Sequence, residues 1–149
     1  MAERPGAARP AVDERWVVVV VDDDELARML VTRYLAKLGL RNPVVQAADG
    51  DEGVQKLSDE TLRPVLVLLD MRMPGRSGLE VLRWIRGTPR LASTPVVMLT
   101  GSAELEEVDE AYALGIASYL VKPVGFAALQ DVLRQADLPW AILPGDGEP

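Results

Sequence analysis

The chain has 149 residues and a formal net charge of −7 at pH 7, and it contains neither Cys nor His. These features exclude a disulfide framework, thiolate chemistry, a Cys-based zinc site and a phosphohistidine of its own, and the acidity argues against a nucleic-acid partner. The length suits one domain, and we expect a cytoplasmic protein with no membrane partner, because no apolar run approaches the roughly 20 residues that cross a bilayer and no signal peptide is evident.

The apolar pattern predicts five buried strands that alternate with five helices. The strands are predicted at 16–21, 44–47, 65–69, 95–99 and 117–121. Four of the helices are predicted at 25–38, 77–87, 102–114 and 126–136. The remaining helix, the second in chain order, is predicted to begin shortly after Asp49 and to contain the apolar residues Val54 and Leu57. We expect a flexible N-terminal arm at 1–14, one domain at 15–137, and a tail at 138–149 that is first apolar and then polar.

Residues that favour helix ends precede three of these helices. Asp24 is predicted to cap the first helix, Ser77 and Glu80 form a capping-box pattern before the third, and Ser102 is predicted to cap the fourth. The inward face of the first helix is predicted from apolar residues spaced three and four apart, namely Ala27, Leu30, Val31, Tyr34 and Leu38.

The connections between strands determine the expected topology. Each is long enough for a right-handed crossover, so the sheet is predicted to be parallel with helices on both faces. The expected fold class is α/β, a doubly wound five-stranded parallel sheet with strand order 2-1-3-4-5. In this order the ends of the first and third strands flank the point at which open α/β sheets bind ligands.

Charged and hydroxyl residues follow four of the predicted strands. Asp22 and Asp23 come after the first, Asp70 after the third, Thr100 after the fourth and Lys122 after the fifth. A single Asp after a strand more often opens a turn, and a strand-end Lys often only extends its charge into solvent. Three acids at one sheet edge repel one another, and a divalent cation would relieve that cost. Oxygen ligands without His or Cys select Mg²⁺, and together with a Lys and a hydroxyl they indicate a phosphoryl-transfer site.

The same residues lie in motifs that resemble the receiver domain of two-component response regulators, in its stand-alone, single-domain form. The resemblance covers residues 15–136 and implies a flavodoxin-like receiver fold. The motifs occur in the family's order as Val21-Asp-Asp-Asp24, Leu69-Asp-Met-Arg-Met-Pro-Gly75 followed by Gly78, Leu99-Thr-Gly101 and Tyr119-Leu-Val-Lys-Pro123.

The resemblance implies a role for several side chains near the strand ends. Asp70 would be the phosphoacceptor and therefore the modified residue. Lys122 and Thr100 would contact the phosphoryl oxygens. Thr100 and Tyr119 would form the switch, with the Tyr119 ring changing rotamer on activation. The bond between Lys122 and Pro123 is expected to be cis.

The resemblance also implies a metal site. The Mg²⁺ ligands would be Asp23, Asp70 and the backbone carbonyl of Arg72, with Asp22 acting largely through water. The side chain at position 72 varies in the family, and we expect it to influence how fast the phosphoryl group is lost.

These residues predict a phosphoacceptor response regulator of a two-component system or phosphorelay. Asp70 is expected to receive phosphate, with Mg²⁺, from a histidine kinase or phosphotransfer protein, since the chain has no His. We do not expect an enzyme in the usual sense, because the only catalysed reactions would be its own phosphorylation and slow dephosphorylation. With no output domain in the sequence, the signal is expected to pass to a downstream protein, a self-dimer or a relay.

Three other functions match parts of this pattern. An aspartate-nucleophile hydrolase of the dehalogenase type needs a second acid two residues after its nucleophile, where this chain has Arg72. In a flavin-binding module of the same strand order, Asp22 and Asp23 would repel the flavin phosphate. A receiver-like interaction module that is never phosphorylated stays open as the alternative, although the complete set of site residues argues against it.

The tail contains a second apolar segment, Leu138-Pro-Trp-Ala-Ile-Leu143. It is expected to fold back on its own domain or to dock, through Trp140, on a partner or a second copy. A Trp followed by aliphatic residues is similar to the ending of some free-standing bacterial receivers that are paired with phytochrome-like kinases.

Overall fold

A five-stranded parallel sheet forms the centre of the computed structural model, which describes residues 15–101 and 105–135. The strands are β1 (Trp16–Val21), β2 (Val44–Ala47), β3 (Arg63–Asp70), β4 (Val96–Thr100) and β5 (Ser118–Val121). The helices are α1 (Glu25–Lys37), α2 (Gly50–Leu57), α3 (Gly78–Gly87), α4 (Leu105–Ala113) and α5 (Phe126–Gln135), with a short 3₁₀ helix at Pro89–Leu91. The predicted arm at 1–14, the Ser102 cap and the tail with Trp140 lie outside the described residues.

The strands lie in the order β2-β1-β3-β4-β5, and all neighbouring pairs are parallel. The predicted fold class and strand order are therefore confirmed. Because β3 is the middle strand, helices cover both of its faces, and its last five residues, from Leu66 to Asp70, are buried. The sheet thus places the carboxyl end of β3 between the ends of β1 and β4.

The third strand is longer than predicted, since it begins at Arg63 and includes Asp70. Its extra N-terminal residues pair with the start of β1, and the register shifts where Val17 lies opposite Pro64 and Val18 lies opposite Leu66. A proline cannot donate a ladder hydrogen bond, so it is accommodated at such an irregularity. The predicted strand began at Val65 because the prediction followed only the run of consecutive aliphatic residues.

The core has two layers, one on each face of the sheet. One layer packs alternate residues of β1, β3 and β4 against α2, α3 and α4, and the other packs the intervening residues against α1 and α5. None of the helices in the described ranges has both the length and the apolar character required to span a membrane.

The predicted caps of α1 and α3 are confirmed. The Asp24 carboxylate accepts hydrogen bonds from the amides of Leu26 and Ala27, and Ser77 and Glu80 form a reciprocal capping box. The predicted inward face of α1 was incomplete, because Leu35 is fully buried although the prediction omitted it. Tyr34 and Leu35 lie three and four residues after Val31, so the helical spacing alone does not distinguish them. The prediction chose Tyr34, which is only partly buried.

Candidate functional site

Three carboxylates meet at the carboxyl ends of β1 and β3. One oxygen from each of Asp22, Asp23 and Asp70 lies within 4.8 Å of the others. Asp22 and Asp70 are 0% and 4% exposed, whereas Asp23 is exposed to solvent. The sheet therefore brings together the acids that the sequence placed after two different strands.

Backbone contacts hold Asp22 in place. Its amide donates to the carbonyl of Ala47 (3.1 Å), and its Oδ1 accepts from the amide of Asp24 (2.9 Å). Arg28, one turn into α1, donates from Nη1 to the Asp22 carbonyl (2.7 Å). Arg28 was not singled out from the sequence, because a bond from its side chain to a backbone carbonyl six residues earlier matches no simple helix spacing.

Asp70 is fixed by the turn that follows β3. The amide of Met71 donates to the carbonyl of Leu99 (2.7 Å), and the amide of Gly78 donates to the carbonyl of Met71 (3.0 Å). The amide of Arg72 donates to Asp70 Oδ1 (3.3 Å). Gly78 packs so closely on this turn that a Cβ there would overlap the backbone oxygen of Asp70. The start of α3 therefore sets the position of the backbone that carries Asp70.

Lys122 reaches both buried carboxylates from the end of β5. Its Nζ lies 2.8 Å from Asp22 Oδ2 and 3.2 Å from Asp70 Oδ2. Its amide donates to the carbonyl of Thr100 (2.7 Å), which joins the ends of β4 and β5. The predicted cis bond between Lys122 and Pro123 is confirmed. Burial opposes the charged form of Lys122, but the carboxylates of Asp22 and Asp70 outweigh it and raise its pKa above the ordinary value.

The pKa of Asp70 is raised from 3.8 to about 7. Burial is the largest cause, and the negative charge of Asp22 adds to it, while Lys122 acts in the opposite direction. One cation therefore does not fully compensate two buried carboxylates, and the site favours a further positive charge.

The acidic cluster fits a divalent cation that prefers oxygen ligands. Asp22 Oδ2 is buried and lies 2.8 Å from Lys122 Nζ, the ammonium group that it shares with Asp70. Three carboxylates without a nitrogen or sulfur ligand match Mg²⁺ better than zinc or copper. Asp22, Asp23 and Asp70 could hold such an ion, and the ligand role of the Arg72 carbonyl stays a prediction.

The two predicted switch residues lie on the same face of the sheet. Met98 pairs with Tyr119, and Thr100 follows Met98 by two residues, so the side chains of Thr100 and Tyr119 point to the side covered by α4. Thr100 is 2% exposed and Tyr119 is partly buried. Tyr112 of α4 stacks edge-on against Tyr119 with ring centroids 6.3 Å apart, a contact that the sequence analysis missed.

An ion pair links the loop after Asp70 to α4. Arg72 Nη2 lies 2.8 Å from Glu107 Oε1. This pair was not predicted from the sequence, because a contact across 35 residues leaves no local pattern from which it can be recognised.

Comparisons with known proteins identify the family. The model of the response regulator receiver domain matches residues 18–134. The chain belongs to this family. The match covers every strand except the first two residues of β1, and every helix except the last residue of α5.

Individual relatives of this receiver are similar over nearly their full length. The probable methanogenesis regulatory protein FilR2 of Methanothrix harundinacea is 31% identical over 140 residues, which is 89% of this chain and 90% of that protein. Chemotaxis protein CheY-3 of Vibrio cholerae is 34% identical over 122 residues, or 82% and 92% of the two chains. The structure of the bacteriophytochrome response regulator AtBRR superposes with a TM-score of 0.74 at 34% identity, covering 86% of this chain and 96% of that one.

Proposed function

We propose that this receiver accepts a phosphoryl group on Asp70 from the phosphohistidine of a histidine kinase or phosphotransfer protein. The observation that carries the proposal is the contact of Lys122 Nζ with the buried carboxylates of both Asp22 and Asp70 at the ends of three strands. Three acids and one Lys at the edge of a parallel sheet have no evident benefit for stability, since their charges do not balance. They match the needs of phosphoryl transfer, in which charge develops on the transferred oxygens.

In the proposed reaction a carboxylate oxygen of Asp70 attacks the phosphorus of the donor. The new O–P bond forms as the P–N bond to the donor imidazole breaks, and the imidazole nitrogen keeps the electron pair and takes a proton. The ammonium group of Lys122, held beside Asp70 at 3.2 Å, is placed to stabilise the negative charge on the phosphoryl oxygens. Loss of the group by hydrolysis replaces Asp70 oxygen with water at phosphorus and releases inorganic phosphate.

A bound Mg²⁺ would supply positive charge for the transferring phosphoryl oxygens. Asp22, Asp23 and Asp70 are the side chains placed to hold it. Asp22 also keeps Lys122 beside the acceptor, because it contacts the same ammonium group. Asp70 must be ionised to act as a nucleophile, but burial and the charge of Asp22 raise its pKa to about 7. A cation that neutralised the charge of Asp22 would lower the pKa of Asp70 and so favour the nucleophilic form.

The phosphorylated state would be read by another protein, a second copy of the chain or the next member of a relay. Phosphorylation replaces the single charge of the carboxylate with a group that carries about 1.5 to 2 negative charges and three acceptor oxygens. Thr100 and Lys122 lie at the adjacent strand ends, and Tyr119 lies on the Thr100 side of the sheet. Their rearrangement would shift an existing equilibrium of the α4 and β5 surface. The cytoplasmic location expected from the sequence stays a prediction.

The test uses acetyl phosphate as a small phosphodonor, with Mg²⁺, and intact mass spectrometry. The wild-type protein is expected to gain the mass of one phosphate, and the gain is expected to disappear with EDTA and in Asp70→Asn. Asp131→Asn is the matched control, because this Asp is exposed on α5. No gain in the wild type, or a gain that persists in Asp70→Asn, would refute phosphorylation of Asp70. The first result would favour the unphosphorylated interaction module.

A further inference from the structure

The ion pair between Arg72 and Glu107 joins the acceptor loop to the first turn of α4. Arg72 follows Asp70 by two residues, and its amide lies 3.3 Å from Asp70 Oδ1. Its guanidinium group reaches away to Glu107, the third residue of α4, at 2.8 Å. The backbone of Arg72 therefore contacts the proposed phosphorylation site, while its guanidinium group contacts α4.

We propose that Arg72 is a positioning residue that exchanges Glu107 for the phosphoryl oxygens when Asp70 is phosphorylated, and thereby loosens the first turn of α4. This inference rests on the proposed phosphorylation of Asp70. It adds a second connection from the site to α4, distinct from the Thr100 and Tyr119 route.

The charges favour this exchange. Lys122 already contacts Asp22 and Asp70, so its ammonium group is shared between two carboxylates. Phosphorylation adds negative charge and three acceptor oxygens at the position from which Arg72 extends. A guanidinium group binds a phosphoryl group through a planar fork of donors, and such charge-assisted pairs are stronger than an exposed pair with a carboxylate. The side chain of Arg72 is 67% exposed and that of Glu107 is 31% exposed, so solvent weakens the pair that must be given up.

The effect on α4 is expected to be local. Further along the helix, Glu110 pairs with Arg83 of α3, and Val108 is buried in the core. The Glu110 pair joins α4 to α3 and not to the acceptor loop, so it persists when Arg72 moves. Phosphorylation should therefore release the first turn while the rest of α4 stays packed.

The test measures amide hydrogen exchange in peptides from α4 before and after treatment with acetyl phosphate and Mg²⁺. Intact mass is recorded in parallel, to establish that each variant carries phosphate. In the wild type, phosphorylation is expected to speed exchange about two- to fivefold at the amides of residues 109–111, which bond the carbonyls of the first turn. This is the range that an exposed ion pair provides. In Glu107→Gln and Arg72→Gln, exchange is expected to be faster before phosphorylation and to change little afterwards.

Glu110→Gln is the matched control, because it removes an ion pair from the same helix without touching the acceptor loop. It is expected to speed exchange near its own position and to keep the wild-type response to phosphorylation in the first turn. The proposal is overturned if phosphorylated wild type shows no change in α4, or if Arg72→Gln responds like the wild type, and in both cases phosphorylation of Asp70 still stands. A wild-type protein that gains no phosphate mass refutes the proposed function itself.

Discussion

Replacing Gly78 with Ala is expected to destabilise the protein even though Gly78 is the first residue of a helix. A Cβ at this position would overlap the backbone oxygen of Asp70 and lie 2.8 Å from Met71 Cα. Both neighbours are backbone atoms at the end of the central strand, so neither can move without shifting the acceptor. The gain in helix propensity is at most about 1 kcal/mol, whereas overpacking a close contact costs about 1–3 kcal/mol. Because the backbone resists relaxation, we expect a net loss of about 1–2 kcal/mol.

Gly87 provides the matched control at the other end of α3. A Cβ there would meet no atom within 4 Å, so Gly87→Ala is expected to be neutral or to stabilise by up to about 1 kcal/mol. Urea unfolding followed by circular dichroism measures both variants, and the Gly78→Ala protein should also react more slowly with acetyl phosphate. A Gly78→Ala protein as stable as Gly87→Ala would show that the close contact with the Asp70 backbone is wrong.

Three further predictions concern pH, a half-buried cation and a helix cap. In EDTA, Asp70 should contribute a fall in wild-type stability as pH rises from 4 to 7, since folding raises its pKa from 3.8 to about 7 and the folded state keeps a proton that the unfolded chain has lost. In Asp70→Asn this fall should shrink by about 1–2 kcal/mol after allowance for solvent screening, and an unchanged slope in urea titrations would contradict the raised pKa of Asp70. Arg86→Lys should lower the free energy of unfolding by about 1–3 kcal/mol, because Lys cannot reproduce the fork of donors to four backbone carbonyls, and a smaller loss than for the exposed Arg83→Lys would count against it. Asp24→Ala should cost about 0.5–2 kcal/mol by thermal unfolding, whereas Asp24→Asn should retain most of the cap.

The sheet and the ends of its strands could be predicted from the sequence because they depend on local patterns. Apolar runs marked all five strands, the Asp24 and Ser77 caps marked helix starts, and parallel strands necessarily bring Asp70 and Lys122 to one edge. These are consequences of residue type and spacing within one element or of the topology as a whole.

The contacts between side chains of distant segments could not be predicted in this way. The pairing of Arg72 with Glu107 depends on where α4 lies relative to the loop after β3. The start of β3 before Pro64 depends on an irregular register with β1. The close approach of Gly78 to the Asp70 backbone likewise appears only once α3 is packed against the sheet. Each requires three-dimensional placement that periodicity does not contain.

The most direct test of the account is to locate the phosphoryl group on the chain. After treatment with acetyl phosphate and Mg²⁺, reduction with borohydride converts an aspartyl phosphate to homoserine, which peptide mass spectrometry can place at a single residue. The account predicts homoserine at position 70, with none at position 22 or 23. Homoserine at another position, or its absence from a protein that has gained phosphate mass, would contradict the assignment of Asp70 as the acceptor.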